Sequence, residues 1–127
     1  MSYLQNRPII RNVVTLQDFQ ELLATNPGTI IVKFGATWCG PCQRIEAQVY
    51  AGFNQMPIHN VLCVIIDIDE SPEIYSFMKR KRLMNGVPAI VAYFKETAHY
   101  VPDDCVLGAN PKEIDMFFSR CHSRAFS

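Results

Sequence analysis

The feature that most constrains this chain is an alternation of short, β-branched apolar runs with stretches of helical spacing. Residues 8–14, 30–34, 61–68, 89–94 and 105–107 read as strands, the 30–34 run being apolar except for one lysine. Leu16, Phe19, Leu22 and Leu23 fall on one helical face behind Thr15, an N-cap with Asp18 three residues on as a capping box. A second helix is expected over 42–53. A third follows Pro72, with Ile74, Phe77 and Met78 inward and the basic run 79–82 near its end. The last opens at Asn110-Pro111-Lys112-Glu113 and carries Ile114, Phe117, Phe118 and Cys121 on its apolar stripe. The order β-α-β-α-β-α-β-β-α requires an α/β fold: a mixed central sheet, helices on both faces and a terminal hairpin. Without repeats or a Gly/Ser linker, residues 1–127 read as a single domain, with 1–7 and 123–127 as flexible tails.

Charge and composition narrow the function classes. Twelve Lys and Arg balance twelve Asp and Glu, which removes the simplest argument for nucleic acid or an anionic membrane as partner. No apolar run approaches the roughly 20 residues that span a bilayer. The N-terminal segment lacks an apolar signal core, so a cytoplasmic, monomeric protein is expected. The five cysteines are an odd number in a chain with no secretory mark, which points to metal or redox chemistry rather than a disulfide framework. A zinc site would need a second C-x-x-C or C-x-x-H pair, and the sequence has none, so no metal and no cofactor are expected. Cys63, on an alternating Val/Ile strand, and Cys121 read as packed core thiols. Cys105 is left open between a bystander and a regulatory thiol. His59, His99 and His122 show no ligand spacing.

The chemistry concentrates in Trp38-Cys39-Gly40-Pro41-Cys42, where a buried strand ends and a helix begins. A cysteine at a helix N-terminus meets unpaired N–H groups and the positive end of the dipole, which favour thiolate. Cys39 is placed there, exposed enough to attack. Cys42, one turn inside, can resolve a mixed disulfide, and Pro41 fixes a backbone angle between the two.

At these residues the sequence resembles the thioredoxin family. Ile30 to Cys42, the Asp67 and Asp69 pair before Pro72, Gly86-Val87-Pro88, and Gly108-Ala109 each match a family pattern, and together they cover residues 9–121. The resemblance implies the thioredoxin fold and a thiol–disulfide oxidoreductase that reduces protein disulfides by a Cys39/Cys42 dithiol–disulfide cycle. It also implies a cis Val87–Pro88 bond facing the cysteines. A docking groove of Trp38, Gly40, Pro41, Gly86, Val87, Pro88 and Gly108 would read substrate backbone. The implied partners are disulfide-containing proteins, with a flavoprotein reductase as electron donor. A second reading stays open: a binding or structural module on this fold whose redox pair is dispensable.

Lys33 is the sharpest departure. The family keeps a buried aspartate there, associated with deprotonating the resolving thiol, and a Lys or Glu where this chain has Ile65. Lys33 puts a cationic or pKa-lowered amine there; as a cation it would favour thiolate, stabilise the reduced pair and make a weaker reductant or an oxidase. Asp67, on the same strand face as Ile65, is the expected counter-ion. The competing reading lets Lys33 snorkel to solvent and tune nothing. Ala47 replaces a kinking proline, so the second helix is expected to run straighter.

Overall fold

Thr29–Gly35 forms a strand, β1, buried along its whole length and paired on both edges. The computed structural model describes residues 7–95 and 99–126. Ahead of β1 lies helix α1 (Leu16–Ala24). After it come α2 (Gly40–Arg44), α3 (Glu46–Asn54), β2 (Val61–Asp67), α4 (Pro72–Arg80), β3 (Ala89–Phe94), β4 (Asp104–Leu107) and α5 (Pro111–Ala125). The sheet order is β2-β1-β3-β4, with β1 parallel to β2 and β3 antiparallel to both β1 and β4. This is the mixed sheet with a terminal hairpin that the element order required.

The alternation of side chains along β1 splits the core in two. Ile30, Val32 and Phe34 face α1 and α4, packing with Phe19, Leu23, Ile74 and Met78. Ile31 faces the other way, against Val49 and Phe53 of α3 and Ile114, Phe117 and Phe118 of α5. Caps set the helix starts as the sequence suggested. Thr15 and Asp18 form a reciprocal capping box, and the Asn110 side chain accepts from the amides of Lys112 and Glu113.

Three expectations differ from the structure. Residues 8–14 do not form a strand; the segment keeps one parallel bridge, Ile10 to Val64. Ile10 exchanges hydrogen bonds with Cys63 and Ile65, but the groups that would extend the ladder are taken by side chains. The Ser71 hydroxyl donates to the Val13 carbonyl, and Asp18 accepts from the amide of Val14. Asp18 of the α1 cap and Ser71 ahead of α4 therefore take groups that a strand would need. Second, the helix expected over 42–53 breaks at Ile45 (φ −100°, ψ 3°) although no proline is present. Ile45 is buried in the core while Glu46 turns to a cleft lined by Lys33, so the turn sends neighbouring side chains to different environments. Third, the expected tails carry structure where they are described: α5 runs through Ala125, and the buried Arg7 donates to the carbonyls of Phe53, Met56 and Val61. Residues 1–6 and 127 lie outside the described residues, as do 96–98 of the long hairpin.

Close approach of α3 and α5 depends on Gly52. A Cβ there would stand 2.6 Å from Cγ of Phe118, whose ring packs edge-on against Phe53 and Phe117. Gly52→Ala gains helix propensity but overfills this contact, so a net loss of about 1–2 kcal/mol is expected in urea unfolding.

Candidate active site

The C-terminal end of β1 delivers the reactive residues. Beyond Gly35 the chain turns through Ala36 and Thr37, and Cys39 becomes the N-cap of α2, with Gly40 and Pro41 as its first residues. Cys39 and Cys42 are joined by a disulfide across a Cα–Cα distance of 5.2 Å. The Cys42 amide donates to Cys39 Sγ at 3.1 Å, which aims a helix N-terminal N–H at that sulfur. In the disulfide Cys39 is only 4% exposed, less open than its expected role as attacking thiol suggested, because it lies against the loop before β3. There its sulfur is 3.7 Å from the Val87 carbonyl oxygen.

That loop brings together residues far apart in sequence. The Val87–Pro88 bond is cis. Gly86 (φ 119°) and Gly108 (φ 95°) adopt backbone that side-chain-bearing residues rarely take, and the Gly108 amide donates to the Pro88 carbonyl at 2.9 Å. A Cβ on Gly40, Gly86 or Gly108 would meet nothing within 4 Å, so all three border open space. Trp38 is 65% exposed, yet its indole Nε1–H donates to Asp69 Oδ2 at 2.7 Å. In the sequence Asp69 stands out only with Asp67 as a family match before Pro72, and nothing there ties it to Trp38 except its place beyond the strand neighbouring β1.

Lys33 is the second finding of the site. It shares the β1 face of Ile31, pairs with Ile65 and Ile90, and is 8% exposed. Its amine does not snorkel outward: Nζ lies 3.0 Å from where a Cβ on Gly35 would stand, and Cys42 Sγ lies 3.6 Å from the same point. The amine and the Cys42 sulfur are therefore separated by less than the sum of those distances. Both line a cleft of about 340 Å³ with Glu46, Asp67, Glu70 and Arg11. Burial pulls the amine below its ordinary value; Glu46 opposes this most, Arg11 adds to it, and Asp67 opposes it least. Asp67, the expected counter-ion, thus acts in the expected direction, and Glu46, which the sequence did not single out, acts more strongly. Asp67 also turns an oxygen to the Asp69 amide at 2.8 Å. Among the described residues no carboxylate is close enough to the amine for a direct ion pair.

The remaining cysteines divide as the sequence suggested. Cys63 and Cys121 are buried free thiols, each pushed up to about 12 by desolvation, which holds them protonated and inert. Cys105 is exposed; partial burial and then Asp104 raise its thiol, and Arg120 opposes them more weakly.

The Thioredoxin family model matches residues 11–116, most of the chain. The protein belongs to the thioredoxin family. Among curated relatives, Thioredoxin-2 of Pyricularia oryzae is 29% identical over 113 residues, 89% of this chain and 60% of that protein. Thioredoxin 3 of Plasmodium falciparum is 32% identical over 101 residues, 80% of this chain and 52% of that protein. The chain therefore spans little more than half the length of these relatives. Among solved structures, oxidised mitochondrial thioredoxin 3 of Saccharomyces cerevisiae superposes with a TM-score of 0.69 at 25% identity, covering 94% of this chain and 99% of that one. Fasciola hepatica thioredoxin gives 0.68 at 25% identity, covering 89% and 98%. The four-stranded mixed sheet is the thioredoxin fold, and Cys39–Cys42 occupies the position of its C-x-x-C pair. Among the described residues no helix is long and apolar enough to cross a membrane.

The buried amine has a stability signature. Because the folded state lowers its pKa from 10.5, the unfolded chain binds the extra proton between the two values, and stability rises with pH across that window. Below the lowered value the cost of burying the cation is fully present. Lys33→Met is expected to stabilise the protein by about 1–2 kcal/mol at neutral pH. Denaturant unfolding at a series of pH values should show that gain shrinking as pH approaches the ordinary lysine value.

Proposed function

We propose that this protein is a thiol–disulfide oxidoreductase that reduces protein disulfides through a Cys39/Cys42 dithiol–disulfide cycle. The observation that carries the reading is the Cys39–Cys42 disulfide at the strand-to-helix junction, with the Cys42 amide on Cys39 Sγ and the Val87 carbonyl beside it. In the reduced protein, the Cys39 thiolate attacks one sulfur of a substrate disulfide and expels the other as a thiolate. Cys42 then attacks Cys39 Sγ, releases the second substrate thiolate and restores the internal disulfide. The helix amide stabilises negative charge at Cys39, so that cysteine is assigned as nucleophile and Cys42 as resolving thiol.

Substrate recognition is assigned to the rim. The reading is supported by the exposed indole of Trp38, the open space at Gly40, Gly86 and Gly108, and the Val87 carbonyl beside Cys39 Sγ; Pro41 and Pro88 complete the proposed rim. An extended substrate segment pairing with the Val87 main chain would need no particular side chains, which suits varied disulfide-containing proteins and a monomeric reductant. The cycle ends oxidised and needs an external two-electron donor; the family resemblance favours a flavoprotein reductase. Three free thiols, one of them exposed, fit a reducing compartment such as the cytoplasm. Yeast holds a mitochondrial relative, 34% identical over 65 residues, so fractionation is the test of that assignment.

Lys33 supports a less reducing member of this class, since a cation beside the pair favours the thiolates of the reduced form. Lys33→Asp should make the potential more negative by on the order of 30 mV in a glutathione titration. Cys39→Ser should abolish reduction of insulin disulfides, whereas Cys42→Ser should accumulate a mixed disulfide with the substrate on a non-reducing gel. Full biological activity in the double serine variant would instead support the binding-module reading.

A further inference from the structure

The basic run at residues 79–82 takes no part in the cycle above. Lys79 and Arg80 close the last turn of α4, where cations suit the negative end of the helix dipole. Lys81 and Arg82 lie beyond the helix, so the dipole accounts for only half of the run. All four side chains are exposed, and none forms an ion pair with a carboxylate among the described residues.

At Arg82 the demands of folding and of charge part. The Arg82 amide donates to the Lys79 carbonyl and the Leu83 amide to the Met78 carbonyl, both at 3.0 Å, the pair of bonds that closes a helix C-terminus. That closure holds Arg82 in the left-handed region, at φ 61°, where glycine is preferred because it has no Cβ to crowd the carbonyl. Met84, two residues on, is buried again. The chain thus carries an exposed cation at a position where folding favours glycine.

Beside the run the surface is recessed. A cavity of about 290 Å³ is lined by Phe19 and Leu23 of α1, Phe77 of α4 and Tyr100 of the long hairpin. The Phe77 and Tyr100 rings meet edge-on at 4.8 Å, and Lys81 Nζ stands 5.7 and 5.6 Å from their centroids. Lys79 Nζ lies 5.8 Å from the Tyr75 ring. His99, stacked on Tyr100 at 4.2 Å, and the exposed Gln20 add polar groups to the lining. Cations and recess share two rings and so form one surface.

We propose that this surface docks an acidic segment of a partner protein, with carboxylates on residues 79–82 and one large apolar side chain in the recess. Charge complementarity selects the acid, and the ring-lined depth selects the anchor. Other polyanions fit less well. Helix α4 has nine residues and opens on Glu73, with Asp69 and Glu70 ahead of it, so a polynucleotide running on along the helix meets carboxylates within about 13 Å. A lipid headgroup surface is flat and offers no protruding group to fill a recess. Only about 18 Å of extended chain separates Arg82 from Val87, so one partner can occupy both this surface and the rim beside Cys39. The docking itself does not depend on the disulfide-exchange reading.

The test is fluorescence anisotropy of the protein with a labelled peptide, Glu-Glu-Asp-Phe-Glu-Glu, at low salt. Saturable binding is expected, weakening as salt rises because the contacts are between exposed charges. Exchanging the peptide's phenylalanine for alanine, or its acids for their amides, should weaken binding about tenfold. Lys81→Gln and Arg82→Gly should each weaken it about threefold and together about tenfold. Arg82→Gly should at the same time raise the melting temperature, which separates lost docking from lost folding. Gln20→Trp, filling the recess from its exposed rim, should weaken the phenylalanine peptide about tenfold and leave the alanine peptide unchanged. Unchanged affinity in the Lys81 and Arg82 variants would overturn the proposal. So would equal binding of the phenylalanine and alanine peptides, no binding at all, or tighter binding of oligothymidylate or of phosphatidylserine vesicles.

Discussion

Strand β1 is hydrogen-bonded on both edges and covered on both faces, so its backbone cannot shift without breaking two ladders at once. The geometry of the site descends from that. The end of β1 fixes where the chain turns into α2, and the turn fixes Cys39 at the helix N-cap and Cys42 one turn within. The antiparallel pairing with β3 brings Ala89 opposite Phe34, which places the cis Val87–Pro88 bond beside the sulfurs. The parallel pairing with β2 ends at Gly35 and Asp67, just before Asp69 reaches Trp38. Three segments remote in sequence thus meet at one end of one strand.

The same rigidity explains why a charged residue can lie in the middle of an otherwise apolar strand. Lys33 takes a position whose neighbours on the sheet are Ile65 and Ile90, and the fold relieves it in two ways. Gly35 leaves volume for the amine on the same face, and the break at Ile45 turns Glu46 toward the cleft. A straight helix and a larger residue at position 35 would close the space around the amine. The cost of burial falls on stability, and the amine, its proton affinity lowered, shares its cleft with Cys42.

Much of this was legible in the sequence. The strand runs at 30–34 and 89–94, the caps at Thr15 and Asn110, and the paired cysteines each carry a local signal, because periodicity, capping and turn chemistry act over a few residues. The N-terminal strand misled for a physical reason: PIIRNVV has the right pattern, but Ser71 and Asp18 claim its backbone groups, and neither is visible as a competitor from the segment itself. The straight second helix misled likewise, since the absence of a proline says nothing about whether burial of Ile45 bends the chain.

By itself, then, the sequence determined the α/β class, the reactive pair at a strand-to-helix junction, the division of cysteines into two reactive and two packed, and the anomaly at Lys33. Only the tertiary structure decided which groups surround that lysine. It brought Glu46 as well as Asp67 to the cleft of the amine, set Asp69 on Trp38, and turned Val87 to Cys39. The reason is one of range. Propensity and periodicity are properties of neighbouring residues, whereas the electrostatics of a buried amine depend on which distant elements a rigid sheet brings within a few ångströms of it.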